Sequence, residues 1–193
     1  MKTAFFSMLM TAFTLVAIAN PIAPKPVKVD LTKSTIVWDA AKVTGAHKGT
    51  VNLKSADLNF NGAKLVSGQF EMDMTSITVT DLTGSMKDKL TGHLKSDDFF
   101  SVEKYNTAKF VIKKAKQVKG KEYEVTGDLT IKGITHPITF NATITPDVSA
   151  VAKIKVDRTK YDVRYGSGKF FENLGDKAIY DEFDLTVNLV MSK

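Results

Sequence analysis

Apolar and polar residues alternate with period two through most of the chain beyond residue 28. That period marks strands with one face buried and the other in water. The clearest stretch is a hairpin. Tyr123, Val125, Gly127, Leu129 and Ile131 share one face, and Glu122, Glu124, Thr126, Asp128 and Thr130 share the other. Lys132-Gly133 supplies a two-residue turn, after which Ile134, Ile138, Phe140, Ala142 and Ile144 alternate with Thr135, Thr139, Asn141 and Thr143. Ile36 and Trp38 mark a first strand, and Val51 and Leu53 a second. The phase of that second strand then switches to Ala56, Leu58 and Phe60, which predicts a bulge near Ser55. Asn61-Gly62 signals a turn, followed by a third strand with Val66, Phe70, Met72 and Met74. Phe110 and Ile112 mark a fourth strand, Ala150, Ala152, Ile154 and Val156 another, and Phe183, Leu185, Val187, Leu189 and Met191 the last.

The sum is about eight amphipathic strands, with hardly any helix to cover an open sheet. Closure into an antiparallel barrel hides every apolar face and removes the edges. The pattern therefore predicts an all-β, eight-stranded antiparallel barrel, with a two-sheet sandwich as the competing architecture. One segment breaks the alternation. Leu82, Met86, Leu90 and Leu94 recur every four residues, which predicts a short amphipathic helix able to plug one barrel mouth. Ser96 is placed to cap a further turn through residues 97–100.

The start of the chain reads differently. Met1-Lys2 is followed by an apolar run from Ala4 to Val16 and by Ala17-Ile18-Ala19, a small-x-small cleavage pattern. The run is shorter than the about 20 residues of a membrane span, so residues 1–19 read as a cleaved export signal. Residues 20–28 hold Pro21, Pro24 and Pro26 and read as an extended tether. The barrel domain is expected over residues 29–193, and the compartment is expected to be the periplasm, with secretion as a variant.

The chain has no cysteine, which excludes disulfides, a lipid-anchoring cysteine, and thiolate nucleophiles or ligands. The net charge is +6, or +5 once a leader whose only charged side chain is Lys2 is removed. The lysines at 113, 114, 116, 119 and 121 flank a predicted hairpin turn with no interleaved aromatic residues. They read as a solvated hairpin end rather than a nucleic-acid site. No nucleic-acid partner is expected, and membrane contact is expected to be transient at most.

Two motifs give the chain a family likeness. LTGHLKSDDFF over residues 90–100, with EKYNTAKF over 103–110, resembles the H-L-x-S-x-D-F-F and K-Y-x-x-A-x-F segments of the YceI-like family. VTGDLTIKGITHPI over residues 125–138 is similar to that family's T-G-D-L-T hairpin. Trp38, Lys42, Gly45, His47 and Gly49, with the stretch 158–176, resemble a Bacteroidetes-type branch. The resemblance spans nearly all of the chain after residue 28. It implies a lipocalin-like barrel with an elongated apolar cavity that binds a polyisoprenoid, an isoprenoid quinone or another long-chain lipid, and no catalytic constellation.

An apolar tail needs only an apolar tube. The expected lining residues are Trp38, Phe70, Met72, Met74, Met86, Leu90, Phe110, Ile112, Leu129, Ile131, Ile138 and Phe140. Small residues on the inward phase, Gly127, Ala142, Ala150 and Ala152, suggest space inside. Lys42, His47 and His93 are the candidates to meet a headgroup at the mouth, and the resemblance places both histidines in motifs. His136 reads as a locally satisfied strand residue. None of the three histidines has a second ligand at metal spacing. Asp157, Asp162, Asn173 and Asp176 lack calcium-loop spacing. The stretch 158–176 is therefore expected to be a loop packed on the rim, with Arg164 in a structural salt bridge. No nucleophile–base–orienter set is present, so an enzyme is not expected, nor is a cofactor or metal. Two readings remain: a carrier of a long apolar ligand, or a barrel filled by its own side chains that acts through its surface as a scaffold. The sequence defines no oligomeric state.

Overall fold

The computed structural model describes residues 23–192; the predicted export signal and the first part of the tether lie outside the described residues. The strands are β1 (Lys25–Lys28), β2 (Thr35–Lys42), β3 (Gly45–Asn61), β4 (Lys64–Val79), β5 (Thr107–Lys119), β6 (Glu122–Ile131), β7 (Ile134–Thr145), β8 (Ser149–Asp157) and β9 (Ile179–Val190). One helix, α1 (Gly84–Lys95), lies between β4 and β5, and a short 3-10 turn spans Arg158–Tyr161. Strands β2 to β9 form an antiparallel meander, and β9 pairs back onto β2 to close an eight-stranded barrel. The expected barrel is therefore the architecture, and the sandwich is not.

The ninth strand comes from the expected tether. Lys25–Lys28 pair with residues 57–60 of β3, below the stretch of β3 that β2 covers, and Val27 is buried there. The long β3 needs two partners along one edge because β2 is only half its length. The predicted bulge at Ser55 is present as a register shift between Leu53 and Ser55 against β4. A second shift, at Asn59/Phe60, corrects the reading of the third strand: Leu65 turns inward and Val66 faces solvent. In the β6–β7 turn Lys132 and Gly133 both have positive φ, as the tightest hairpin turn requires.

Successive connections of the meander alternate between the two ends of the barrel, and the two ends differ. The lower end carries the β3–β4, β5–β6 and β7–β8 turns. It is sealed by Phe60, Tyr123 and Val27, with the Tyr123 hydroxyl donating to the Ala63 carbonyl at 3.0 Å. The upper end carries the β2–β3 and β6–β7 turns, α1, and the long β8–β9 loop.

Two seams interrupt the pairing. Strands β7 and β8 pair only through residues 142–145 and 149–152, leaving the upper halves of both without a partner at that seam. Pro137, which has no N–H to donate, sits on the freed edge of β7. The 3-10 turn packs at the upper part of this opening, where Tyr161 is buried and lies edge-on to His136 at 5.5 Å. Strands β4 and β5 pair only through residues 69–73 and 107–111. The lower half of β5 is thus a free edge, and it carries Lys113, Lys114, Lys116 and Lys119. Lysines on an exposed edge deter pairing with another chain, a more specific account of this cluster than a solvated hairpin tip.

Candidate functional site

The barrel encloses an apolar cavity of about 190 Å³. Well-packed interiors hold few voids larger than one water, so a cavity of this size is a built feature. Its two walls differ. On β3 to β6 the inward side chains, among them Leu53, Phe70, Phe110, Ile112, Val125 and Leu129, are buried against one another. On β7 to β9 Ala142, Ile144 and Leu189 toward the lower end are buried, while the inward Ile138, Phe140, Ala152, Ile154, Phe183 and Leu185 are only half-buried, though they point into the barrel. The surface they retain faces the cavity. Ala150 and Ala152 keep that wall low.

Every expected lining residue on a strand borders the cavity: Trp38, Phe70, Met72, Met74, Phe110, Ile112, Leu129, Ile131, Ile138 and Phe140. Met86 and Leu90 do not. Met86 is 63% exposed on the outer face of α1, and Leu90 packs half-buried beneath the helix. The reason is rotational. A four-residue repeat drifts by about 40° per step on a helix of 3.6 residues per turn. With Leu94 fixed inward, Met86 has rotated by roughly 80°. The space argument from Gly127 also fails: a Cβ there would collide with Phe110 and the Val111 carbonyl, so this glycine lets Phe110 lie across β6. Gly49 does the same for Trp38.

The upper mouth is covered from two sides. Leu94 of α1, with Phe99 and Phe100 after it, borders the cavity from above. The turn at residues 97–100 forms as expected, but the Ser96 hydroxyl bonds back to the His93 carbonyl at 2.8 Å instead of capping forward. From the other side comes the β8–β9 loop. Tyr165 of this loop packs edge-on to His93 at 4.6 Å and lies 5.6 Å from Phe99.

Arg158 anchors the loop. It is 4% exposed, and its guanidinium donates to the carbonyls of Val163 at 2.8 Å, Ile179 at 3.0 Å and Tyr180 at 3.0 Å. Burial pulls its pKa below the usual arginine value, opposed by the nearby Asp181 and Asp157. The sequence held a signal for it: the inward phase of Ala152, Ile154 and Val156 runs on to Arg158. The same phase pointed to Phe183 and Leu185, cavity residues that the lining expectation omitted. Arg164 forms the expected structural pair, with Nε 2.7 Å from Asp162 Oδ1.

The three headgroup candidates all lie at the upper end, but the structure does not bring them together. Lys42 ends β2 and is exposed. His47 lies within β3, and its Nδ1 is 3.0 Å from Asp81 Oδ2. His93 Nε2 is 3.4 Å from Asp98 Oδ2. Burial works against the charge on Asp81, but hydrogen bonds from His47 and the Lys48 N–H outweigh it and hold this carboxyl below the usual range. Each histidine thus has its own carboxylate, and no hydrogen bond or ion pair joins any two of the three candidates among the described residues. His136 is held by its contact with Tyr161.

Among the described residues two uncharged polar side-chain atoms, Trp38 Nε1 and Tyr161 Oη, are buried without hydrogen-bond partners. The arrangement as a whole offers burial for an apolar chain and no polar code to read it.

Known proteins share this shape. BcnA of Burkholderia cenocepacia superimposes with a TM-score of 0.69 at 26% identity, covering 86% of this chain and 100% of that one. A polyisoprenoid binding domain from Saccharophagus degradans gives 0.60 at 14% identity, over 88% and 99% of the two chains, a likeness of fold alone. A UPF0312 protein of Pseudomonas putida is 39% identical over 106 residues, which are 55% of this chain and 42% of that protein. The chain therefore spans less than half the length of the curated relatives it matches. The sequence profile of the YceI-like domain matches residues 27–191, and with the barrel and its cavity this places the chain in the YceI-like family.

Proposed function

We propose that this protein is an exported carrier that holds a long apolar ligand, a polyisoprenoid, an isoprenoid quinone or a fatty-acid-like lipid, within its barrel and works in the periplasm. The observation that carries the reading is the low, half-open wall of β7 to β9 facing a closely packed wall of β3 to β6. A barrel filled by its own side chains would bury both walls alike. The polyisoprenoid-binding neighbour and the family fold add support.

The mechanism is reversible burial without bond making. Each buried CH₂ contributes roughly 0.8 kcal/mol, so ten carbons give about 8 kcal/mol gross. Association costs of about 4–15 kcal/mol offset much of this, so a long chain is needed for tight binding. Met72 and Met74 on the lining adapt to a guest of variable shape.

The test is native mass spectrometry of protein purified from its own cells, followed by solvent extraction of whatever it carries. A stoichiometric long-chain adduct is the expected result and names the cargo. A bare mass that persists after incubation with isoprenoid quinones and polyprenyl lipids overturns the carrier reading in favour of a surface role.

A further inference from the structure

Exposed apolar side chains gather where the barrel is covered. Phe170 and Phe171, adjacent in the β8–β9 loop, are 45% and 49% exposed, and Tyr165 of the same loop is 44% exposed. Folding leaves these three aromatic faces in water. Tyr165 also reaches inward to Phe99, and Phe99 borders the cavity. One apolar track thus runs from the solvent-facing loop, through Tyr165 and Phe99, to the interior. The charges around it balance: residues 157–181 contain five basic and five acidic side chains, and Lys169 is paired with Asp157 and Asp181. Arg164 stands over the Phe170 ring at 4.9 Å, and Lys160 and Lys177 are exposed nearby in the sequence.

We propose that the β8–β9 loop docks the protein on the surface of a lipid bilayer, with Phe170 and Phe171 inserted at the headgroup level, and that cargo passes between bilayer and cavity along the Tyr165–Phe99 track. The docking surface stands on its own geometry, while its use for transfer rests on the carrier reading above. Aromatic residues at the headgroup boundary with flanking cations are the interfacial pattern of peripheral proteins. A long apolar chain that left a bilayer through water would lose all its burial on the way. A mouth held against the bilayer keeps the chain covered throughout.

The experiment uses vesicles of phosphatidylcholine with and without phosphatidylglycerol. Protein purified from cells is expected to sediment with both kinds of vesicle and to stay bound in salt. The Phe170→Ser/Phe171→Ser variant, altered only at exposed positions, is expected to bind about tenfold or more weakly with an unchanged melting temperature. Phe171→Trp is expected to add a fluorescence signal that brominated lipids quench, which locates the contact at the loop rather than elsewhere on the chain. Unchanged vesicle binding by the double variant, or no quenching of the added tryptophan, overturns the docking proposal. In parallel, ubiquinone is supplied from ethanol without vesicles and uptake is read by native mass spectrometry. Uptake without vesicle docking overturns the docking and leaves the carrier reading intact. Docking through the loop without uptake supports the surface and overturns the transfer role.

Discussion

His93 and Tyr165 meet edge to face with ring centroids 4.6 Å apart, joining the two segments that cover the upper mouth of the barrel. One ring belongs to α1 and the other to the β8–β9 loop. Phe99 completes the cluster from below, 4.9 Å from His93. The cover is thus one aromatic junction between two separate pieces of chain, each tethered to the barrel at its own ends.

Loosening that junction should speed ligand exchange. An aromatic pair contributes about 0.5–1.5 kcal/mol beyond its burial. His93→Ala or Tyr165→Ala is therefore expected to raise the release rate of a bound isoprenoid by about two- to tenfold. Thermal stability should change little, since both side chains lie at the surface of the fold. Stopped-flow transfer of a fluorescent isoprenoid analogue measures the rate. Release no faster than wild type would place the exit elsewhere, with the β7–β8 seam the next candidate.

Arg158 should matter for stability rather than for binding. Replacing it with Met keeps the aliphatic stem but strands the carbonyls of Val163, Ile179 and Tyr180. Buried acceptors without partners cost about 1–3 kcal/mol each, and partial rehydration at the rim reduces the sum. A loss of about 2–4 kcal/mol in urea unfolding is expected for Arg158→Met, accompanied by earlier proteolysis within the β8–β9 loop. A change below about 1 kcal/mol would show that water replaces the guanidinium.

Tyr161 gives the fold an alkaline limit. Burial, with a smaller contribution from Asp157, pushes its hydroxyl up to about 12. In the unfolded chain a tyrosine titrates near about 10. The raised value means that its contribution to stability is fully present below pH 10 and is lost as the pH rises toward 12. The Tyr161 hydroxyl also lacks a hydrogen-bond partner, so Tyr161→Phe removes an orphan rather than a bond. The variant is expected to equal or exceed wild type at pH 7, and to lose less stability than wild type between about pH 10 and 12. Denaturant titrations at the two ends of that interval check both halves.

The barrel was legible because strand alternation is local and its repetition leaves few ways to hide so many apolar faces. The Ser55 bulge showed itself as a phase switch within a single strand. What escaped was whatever depends on neighbours distant in sequence. Val66 looked inward until the register against β3 placed Leu65 there instead. Gly127 looked like spare room, yet Phe110 from β5 occupies the space above it. Met86 followed a four-residue repeat that a helix does not keep. Lys42, His47 and His93 share one end of the barrel, but only the fold shows that each histidine is already engaged by its own carboxylate. The cavity itself had no sequence signature, because a lining residue and a core residue are the same chemistry at different packing densities.

That difference in packing can be probed with one substitution made on each wall. Ala108 on β5 is 3% exposed within the closely packed wall, whereas Ala152 on β8 is half-buried and faces the cavity. Ala108→Phe pushes a ring against neighbours that already cover the alanine and should destabilise by about 1–3 kcal/mol, the usual cost of overpacking. Ala152→Phe places the same ring in the cavity, where new contacts offset its ordering, and stability should stay within about 1 kcal/mol of wild type. The same ring takes the volume a guest would use, so ligand uptake should fall sharply in Ala152→Phe. The single tryptophan, Trp38, borders the cavity and reports on it, since a bound quinone would quench its fluorescence. Equal destabilisation by the two substitutions would mean that the walls are packed alike. Undiminished quinone quenching in Ala152→Phe would mean that the ligand does not lie where the open wall faces.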